Sequence, residues 1–439
     1  MTVHFGIRRE DKNKWERRVP LIPSDIAGLR ERYGQRFTVQ PSAIRVYPDD
    51  EYRSAGAEVR EDLGDAKIVL AVKEVPVPFI QPAKVYVFFA HVAKGQAYNM
   101  PMLRRLMELG CSVVDYEKIT DDRKRRLIFF GRHAGYAGMV ETLRALGRRL
   151  SWSGVETPLR EIRHAFEYAD LAEAKEHLRR LAVMAEKSPP AAPVIVGFSG
   201  YGNVSGGAQE VLECMSPRPV AVGELPRLAA GQKAGESWLA KVVFKEEDMV
   251  GPRDAAKPFV LQEYYDSPDR YAGCFEPHLA HLDVLVNAIY WEPRYPRLVT
   301  REWARRTYIP GANPRLKIIG DISCDIEGSI EMTVRITQPD NPCFVYFPLE
   351  GTTRDGVEGH GPVIMAVDNL PCEIPRESSQ YFSSVLRNMV PPLAAADWEA
   401  DFGSLDLPSH LKRALIVHKG ELTPSYRYLH KHLEVRPDH

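Results

Sequence analysis

The chain has 439 residues, 44% of them apolar and 27% charged, a composition that excludes a fibre or a disordered chain and allows two or three packed cores. Its formal net charge of -1, from 58 basic and 59 acidic side chains, supplies no global positive field and argues against a nucleic-acid partner. The opening MTVHFGIRREDKNKWERRVP is too charged for a signal peptide, and no apolar run approaches the roughly 20 residues of a spanning helix, so the expectation is a cytoplasmic chain with no membrane partner.

In chain order, HFGIR, IAGLRERYG, AKIVLAVKEV, VYVFFAHVA, MLRRLMELG and CSVVDYEKI alternate strand-like and helical patterns, the rhythm of a parallel α/β layer. IVLAV and VYVFF are apolar throughout, as strands are when helices cover both faces of a sheet. A long helix is predicted from about Ala134 to Leu150 and a charged helix from about Pro158 to Lys187, where SPPAAP stops it. VIVGFSGYGNVSGGAQEVLECM then reads as strand, glycine turn and helix. Further strands are predicted at PVAVG, HLDVLVNAIYW, KIIGDISCDI and PVIMAVDNL, and a helix beginning near Arg376. Two weak segments follow, around Leu415 to Val417 and Tyr426 to Leu433.

This pattern predicts an α/β protein of two Rossmann-like domains with parallel sheets. The first is discontinuous, 1–135 plus 380–439, and carries the substrate and catalytic groups; the second, 136–379, binds a dinucleotide. An active-site cleft is expected between them, with hinges near Ala134 to Thr157 and Pro371 to Ser379. The six cysteines, Cys111, Cys214, Cys274, Cys324, Cys343 and Cys372, are irregularly spaced, which predicts reduced, mostly buried thiols and no metal site.

The glycine turn is Gly200, Tyr201, Gly202, Asn203, Val204, Ser205. Gly200 would permit the tight turn and Gly202 a close approach of backbone to pyrophosphate, with the helix N-terminus beyond. Ser205 stands where the fingerprint has glycine. No acidic residue about 20 positions on is obvious, while Arg218 and Arg227 are near, so NADPH is expected over NADH, with NADH still open.

Three charged groups sit where a cleft would want them: Arg18 after the first strand, Lys73 at the end of IVLAVK and His91 at the end of VYVFFAH. In a parallel sheet these ends open on the ligand crevice, which would place Lys73 and His91 in one space. Alone, each has a bland reading, a solvated strand cap or a core histidine; together they could hold a carboxylate and move protons in a reductive amination. Asp325 in GDISCDIEGSIE could orient the nicotinamide ribose or be a turn aspartate, Glu327 and Glu331 share its loop, and Lys94 reads as a helix cap.

Long blocks now carry a resemblance: KNKWERRVPLIP, AVKEVP, FFAHVAKGQAYNMPML, VDYEKITDDRKRRLIFFGRHAGYAGM, GYGNVSGGAQE, NAIYWEPRYPRLVTRE, GDISCDIEGSIE and AVDNLPCEIPRESSQYF. Nearly end to end, the sequence resembles the lysine-ketoglutarate reductase domain of α-aminoadipic semialdehyde synthase, in the wider group of alanine dehydrogenase and single-chain saccharopine dehydrogenases. The resemblance implies Arg18 as carboxylate holder, Lys73 and His91 as the acid/base pair, and Asp325 beside the nicotinamide. It also implies Asn369 and Leu370 in the nicotinamide pocket.

The implied reaction joins L-lysine to 2-oxoglutarate and reduces the imine with NADPH to saccharopine. Two departures stand out: the chain ends near His439 without the second, saccharopine-cleaving half, and His133 stands where the animal reductases carry tryptophan. An alanine-dehydrogenase-like or opine-type enzyme using another amine, and a non-catalytic dinucleotide-binding protein, are the rival readings. A homo-oligomer is compatible with all of them.

Overall fold

The short apolar runs assemble into two mostly parallel sheets, seen in a computed structural model that describes residues 2–190, 192–231 and 237–434. The chain divides into two compact units, Met1–Phe129 with Pro375–His439, and Phe130–Ile374.

In the first unit the chain forms β1 (His4–Ile7), α1 (Pro23–Tyr33), β2 (Arg36–Val39), α2 (Asp49–Ser54), β3 (Glu58–Val59), β4 (Ile68–Leu70), β5 (Val85–Phe88), α3 (Met100–Glu108) and β6 (Ser112–Asp115). The second unit holds α4 (Gly131–Trp152), α5 (Leu171–Lys187), β7 (Val194–Ser199), α6 (Asn203–Leu212), β8 (Arg218–Pro219), β9 (Leu239–Phe244), β10 (Val250–Pro252), β11 (Tyr271–Gly273), β12 (Val284–Asn287), β13 (Ile318–Asp321), β14 (Cys343–Phe347), β15 (Thr352–Asp355) and β16 (Val363–Met365). Helix α7 (Pro375–Leu386) and strands β17 (Leu415–His418) and β18 (Glu421–Leu422) return to the first unit.

The first sheet runs β18-β17-β6-β5-β4-β1-β2-β3, parallel from β6 to β3, with β17 and β18 antiparallel at one edge. The second runs β15-β14-β16-β13-β12-β7-β9-β8, parallel from β16 to β8. Every residue of β1, β5, β6, β7, β12 and β13 is buried, which is why their sequences are apolar without alternation. Among the described residues no helix is long and apolar enough to cross a membrane.

Several local expectations are corrected. The helix predicted from Pro158 begins at Leu171, because the Asp170 carboxylate accepts from Glu173 N and caps it there; short 3-10 turns fill 158–167. PVAVG is no strand beyond Pro219: the chain turns into a 3-10 helix at Val222–Glu224, and Glu224 accepts from Ala221 N at 2.8 Å. Strands β9 and β14, like the shorter β2, β3, β10, β11, β15 and β18, have no counterpart among the predicted strands. All six cysteines are free thiols, but only Cys111, Cys343 and Cys372 are buried, and Cys274 is exposed.

In the second unit α4 lies almost against α6. A Cβ added to Gly135 would come within 2.0 Å of Val204 O, and one added to Gly207 within 2.1 Å of Arg132 O. Backbone meets backbone here, so no side chain can swing aside. Gly207→Ala is expected to destabilise the second unit by about 2 kcal/mol or more; a thermal unfolding midpoint equal to the parent's would contradict this packing.

Candidate functional site

In the first unit the functional groups gather where β1, β4, β5 and β6 end. The ladder between β4 and β5 continues past the strands, with Ala71 N bonded to Val87 O and Phe89 N to Val72 O. Lys73 and His91 therefore leave the sheet one or two residues later, on the same edge. His91 sits at φ +48, a left-handed conformation that a side chain rarely adopts. Its Nδ1 is 2.8 Å from Glu74 Oε1, and Lys12 Nζ is 2.9 Å from Glu74 Oε2. Asn99 Nδ2 donates to the carbonyls of Ala90 and His91 and holds the turn. Burial would raise the Glu74 carboxyl, but bonds from His91 and Lys12 outweigh it and hold it well below the usual range.

Arg18 is buried, and Glu16 takes its Nε and Nη2 in a fork at 2.7 and 2.6 Å, with both side chains no more than 3% exposed. Such a pair is stable only because each charge is met at full geometry. Burial, then the Arg18 guanidinium, push the Lys73 ammonium down, so a neutral amine is easier to reach there than on an exposed lysine. Glu10 accepts from Val72 N at 2.6 Å and Lys73 N at 3.0 Å, fixing the backbone that carries Lys73. Burial, reinforced by Glu16, pushes its carboxyl up to about 7. Asp115, at the end of β6, accepts from Ala90 N and Glu117 N and is raised by burial to about 6.

Arg18, Lys73 and His91 thus share one edge of one unit, joined by Glu10, Glu16 and Glu74, which sequence reasoning missed. Glu74 had a signal, adjacency to Lys73; the others look like surface acids until the fold buries them.

In the second unit the glycine turn follows β7. Gly200 has φ +83, so the turn itself demands glycine. Gly202 does not: its backbone is extended, it caps α6, and a Cβ there would meet nothing within 4 Å. That open space beside the N-terminus of α6 is where dinucleotide phosphates fit. Asn203 and Val204 form the first turn of α6, and Ser205 is buried, accepting from Gln209 Nε2 at 2.9 Å.

A pocket of about 440 Å³ adjoins the turn, lined by Gly200, Tyr201, Gly202, Glu246, Tyr265 and Tyr290 among others. Glu246 lies just past β9, whose Phe244 pairs with Ser199 at the end of β7. Its carboxylate accepts from Tyr201 at 3.1 Å and Tyr265 at 2.6 Å. This pocket carboxylate stands 46 positions after Gly200, well beyond the spacing of about 20 at which a dinucleotide fingerprint carries its ribose acid. Arg218, the expected phosphate partner, is instead paired with Glu224 at 3.0 Å and, like Arg227, is absent from the pocket lining.

Beneath the turn a buried chain ties three strand ends: Ser199 donates to Asn287 at 2.9 Å, Asn287 donates to Asp321 and Ser329 at 2.8 Å, and Thr333 donates to Asp321. Burial raises Asp321 to about 6. Asp325 is exposed, four residues beyond β13, and Asn369 with buried Leu370 follows β16. His133 is buried on α4 with Phe130 and Tyr136 edge-on to it. Among the described residues, no three His, Cys, Asp or Glu side chains are grouped to hold a metal.

Glu10, Asp115 and Asp321 are carboxyls raised by the fold, so each contributes stability below its ordinary pKa and loses it as pH climbs through its folded value. Because Glu10 loses its contribution as pH climbs towards and through about 7, the stability difference between the parent and Glu10→Gln is expected to change in the variant's favour from about pH 5 to about pH 8. A Glu10→Gln profile parallel to the parent's would contradict the burial assigned to Glu10.

Residues 6–137 match the alanine dehydrogenase/PNT N-terminal domain and residues 263–425 the alanine dehydrogenase/PNT C-terminal domain. Over 99% of its length the chain is 36% identical to alpha-aminoadipic semialdehyde synthase of Arabidopsis thaliana, covering 42% of that protein. It is 33% identical, over 98% of its length, to the synthase of Bos taurus, whose name includes "mitochondrial", covering 48% of it. The chain thus spans less than half the length of these two relatives. It is 26% identical over 86% of its length to saccharopine dehydrogenase (NAD(+), L-lysine-forming) of Emericella nidulans, covering 89% of that protein. Among solved structures, an L-alanine dehydrogenase superposes with a TM-score of 0.62 at 19% identity, covering 98% of this chain and 100% of that one. A transhydrogenase from Sinorhizobium meliloti superposes with a TM-score of 0.55 at 14% identity, covering 96% of this chain and 100% of that one. These two likenesses concern the fold.

Proposed function

The chain belongs to the alanine dehydrogenase/PNT family, and from that premise we propose that it is an oxidoreductase of CH–NH groups that joins L-lysine to 2-oxoglutarate and reduces the product imine to saccharopine. The observation that carries this reading is the first-unit cluster: a buried guanidinium fixed by Glu16, a lysine with lowered proton affinity beside it, and a histidine anchored by a carboxylate. The full-length similarity to the semialdehyde synthases supports the choice of substrates.

The chemistry follows from these groups. Arg18 would hold a substrate carboxylate, its plane fixed by Glu16. The lysine ε-nitrogen attacks the 2-oxo carbon, and the nitrogen loses a proton as the carbonyl oxygen gains one. Neutral Lys73 suits the first transfer. Expelling the hydroxyl as water needs a second proton, which His91, oriented by its hydrogen bond to Glu74, can donate. A bound nicotinamide dinucleotide would supply the hydride to the imine carbon. Gly200, Gly202 and the first turn of α6 would hold its pyrophosphate, and Asp325, Asn369 and Leu370 would flank its nicotinamide end.

For the cofactor, the pocket carboxylate supports NADH over the NADPH expected from Arg218 and Arg227. Glu246 can accept a ribose 2′-hydroxyl, whereas a 2′-phosphate there would meet like charge. The NAD(+) in the fungal relative's name is in keeping with this.

Oxidation of NADH is expected to require both L-lysine and 2-oxoglutarate, and Lys73→Met with His91→Gln to slow it by about a hundredfold or more. Turnover with ammonia alone would overturn the substrate assignment, and full activity in the double variant the catalytic one. Glu246→Arg is expected to shift the NADH to NADPH preference by about tenfold towards NADPH, roughly 1.4 kcal/mol; an unchanged ratio in kcat/KM would contradict the role of Glu246.

A further inference from the structure

The second unit has another concave site at the opposite edge of its sheet. Parallel strands place the glycine turn at the carboxyl ends of β7 and its neighbours. Here the lining comes from residues that precede strands, Lys317 before β13 and His360 before β16, and from the last turns of α4, with Arg149 and Trp152. The cavity is about 310 Å³, at the lower end of the roughly 300–1,000 Å³ typical of small-molecule pockets.

Its charge is one-sided. Arg149, Lys317 and His360 line it, and no aspartate or glutamate does. Arg149 is 8% exposed and donates to the carbonyls of Val357 and Gly361; Lys317 donates to Pro314 O at 3.3 Å. Carbonyl dipoles satisfy hydrogen bonds without cancelling net charge. The acid that acts on Lys317 is Asp283, but Arg315 holds it through Nε at 3.1 Å and Nη2 at 2.8 Å. Burial lowers the proton affinity of both cations, and for Lys317 the neighbouring Arg149 adds to that burial. Two partly desolvated cations with no lining acid are an unfavourable arrangement that an anion would relieve.

Aromatic rings form part of the wall. The Arg149 guanidinium lies 4.6 Å from the centre of the Trp152 ring, and His360 meets that ring edge-on at 6.4 Å. Tyr308 is buried with its hydroxyl spent on Leu316 O, leaving its ring as surface. Trp152 is 42% exposed, at the mouth.

We propose that this pocket binds a small organic anion, a carboxylate or phosphate on a flat apolar body, at a site separate from the dinucleotide turn. The inference does not depend on the reaction assigned above. The probes are phenyl phosphate and benzoate, titrated calorimetrically into the full chain carrying Gly202→Asp, which sets a negative charge at the glycine turn and bars anions there.

Binding of either anion that is weakened by the pocket variants, and so does not belong to the carboxylate site at Arg18, is expected, the tighter anion identifying the acid group. In the same background Lys317→Gln should weaken it about tenfold and Trp152→Ala about fivefold, as loss of one charge pair or one stacking face predicts. Because Trp152 is half-exposed, its variant tests the site even if Lys317→Gln does not fold. Absence of binding by both anions, or affinities unchanged in every folded variant, would overturn the proposal.

Discussion

The fork between Glu16 and Arg18 is the constraint on which the first unit's site is built. A guanidinium this deeply buried persists only if its charge is matched, and Glu16 matches it within the same loop, two residues away. The consequences spread outward. Burial first and then the fixed positive charge lower the proton affinity of Lys73, with Glu16 opposing them, while the negative charge of Glu16 adds to burial in keeping the nearby Glu10 protonated towards neutrality. Glu10 in turn pins the amides of Val72 and Lys73. The ion pair thus sets the surroundings of Lys73 through its charges and its burial, and Glu16 need not touch substrate at all.

The second unit solves a different problem. There the glycine turn must leave room for phosphates, and the helices beneath must approach without side chains between them. Gly200 is needed by the backbone, Gly202 by the empty space beside it, and Gly135 with Gly207 by the contact of α4 and α6. Four glycines thus serve three separate physical demands, and a motif written only as spaced glycines would merge them. Ser205 at the third position is tolerated because its hydroxyl is met by Gln209.

Much of this is legible in the sequence because burial on both faces of a parallel sheet writes itself as unbroken apolar runs, as in β4, β5 and β7, while β1 and β6 show through the alternation of strand-like and helical segments. Lys73 and His91 stand out as charges at the ends of such runs, and Arg18 as one in the loop after the first strand. The acids that organise them do not, since pairing and burial are properties of the fold and a glutamate in KNKWERR looks like any solvated glutamate. Strand β9 was passed over for a related reason. It lies beside the two-residue β8 near the sheet's edge, so its inner and outer positions alternate in exposure, and LAKVVF lacks the continuous apolar signature. Without that strand, nothing in the sequence sets Glu246 beyond it apart from a solvated glutamate.

Helix α4 joins two requirements that fix its length as well as its composition. At one end Gly135 must face α6, and at the other Arg149 must reach the carbonyls of Val357 and Gly361. Each residue added or removed between them would turn one end relative to the other by about 100° and displace it by about 1.5 Å. Substitutions along the intervening turns leave that phase intact, whereas a single insertion or deletion forces the helix to choose which of its two ends to keep in register.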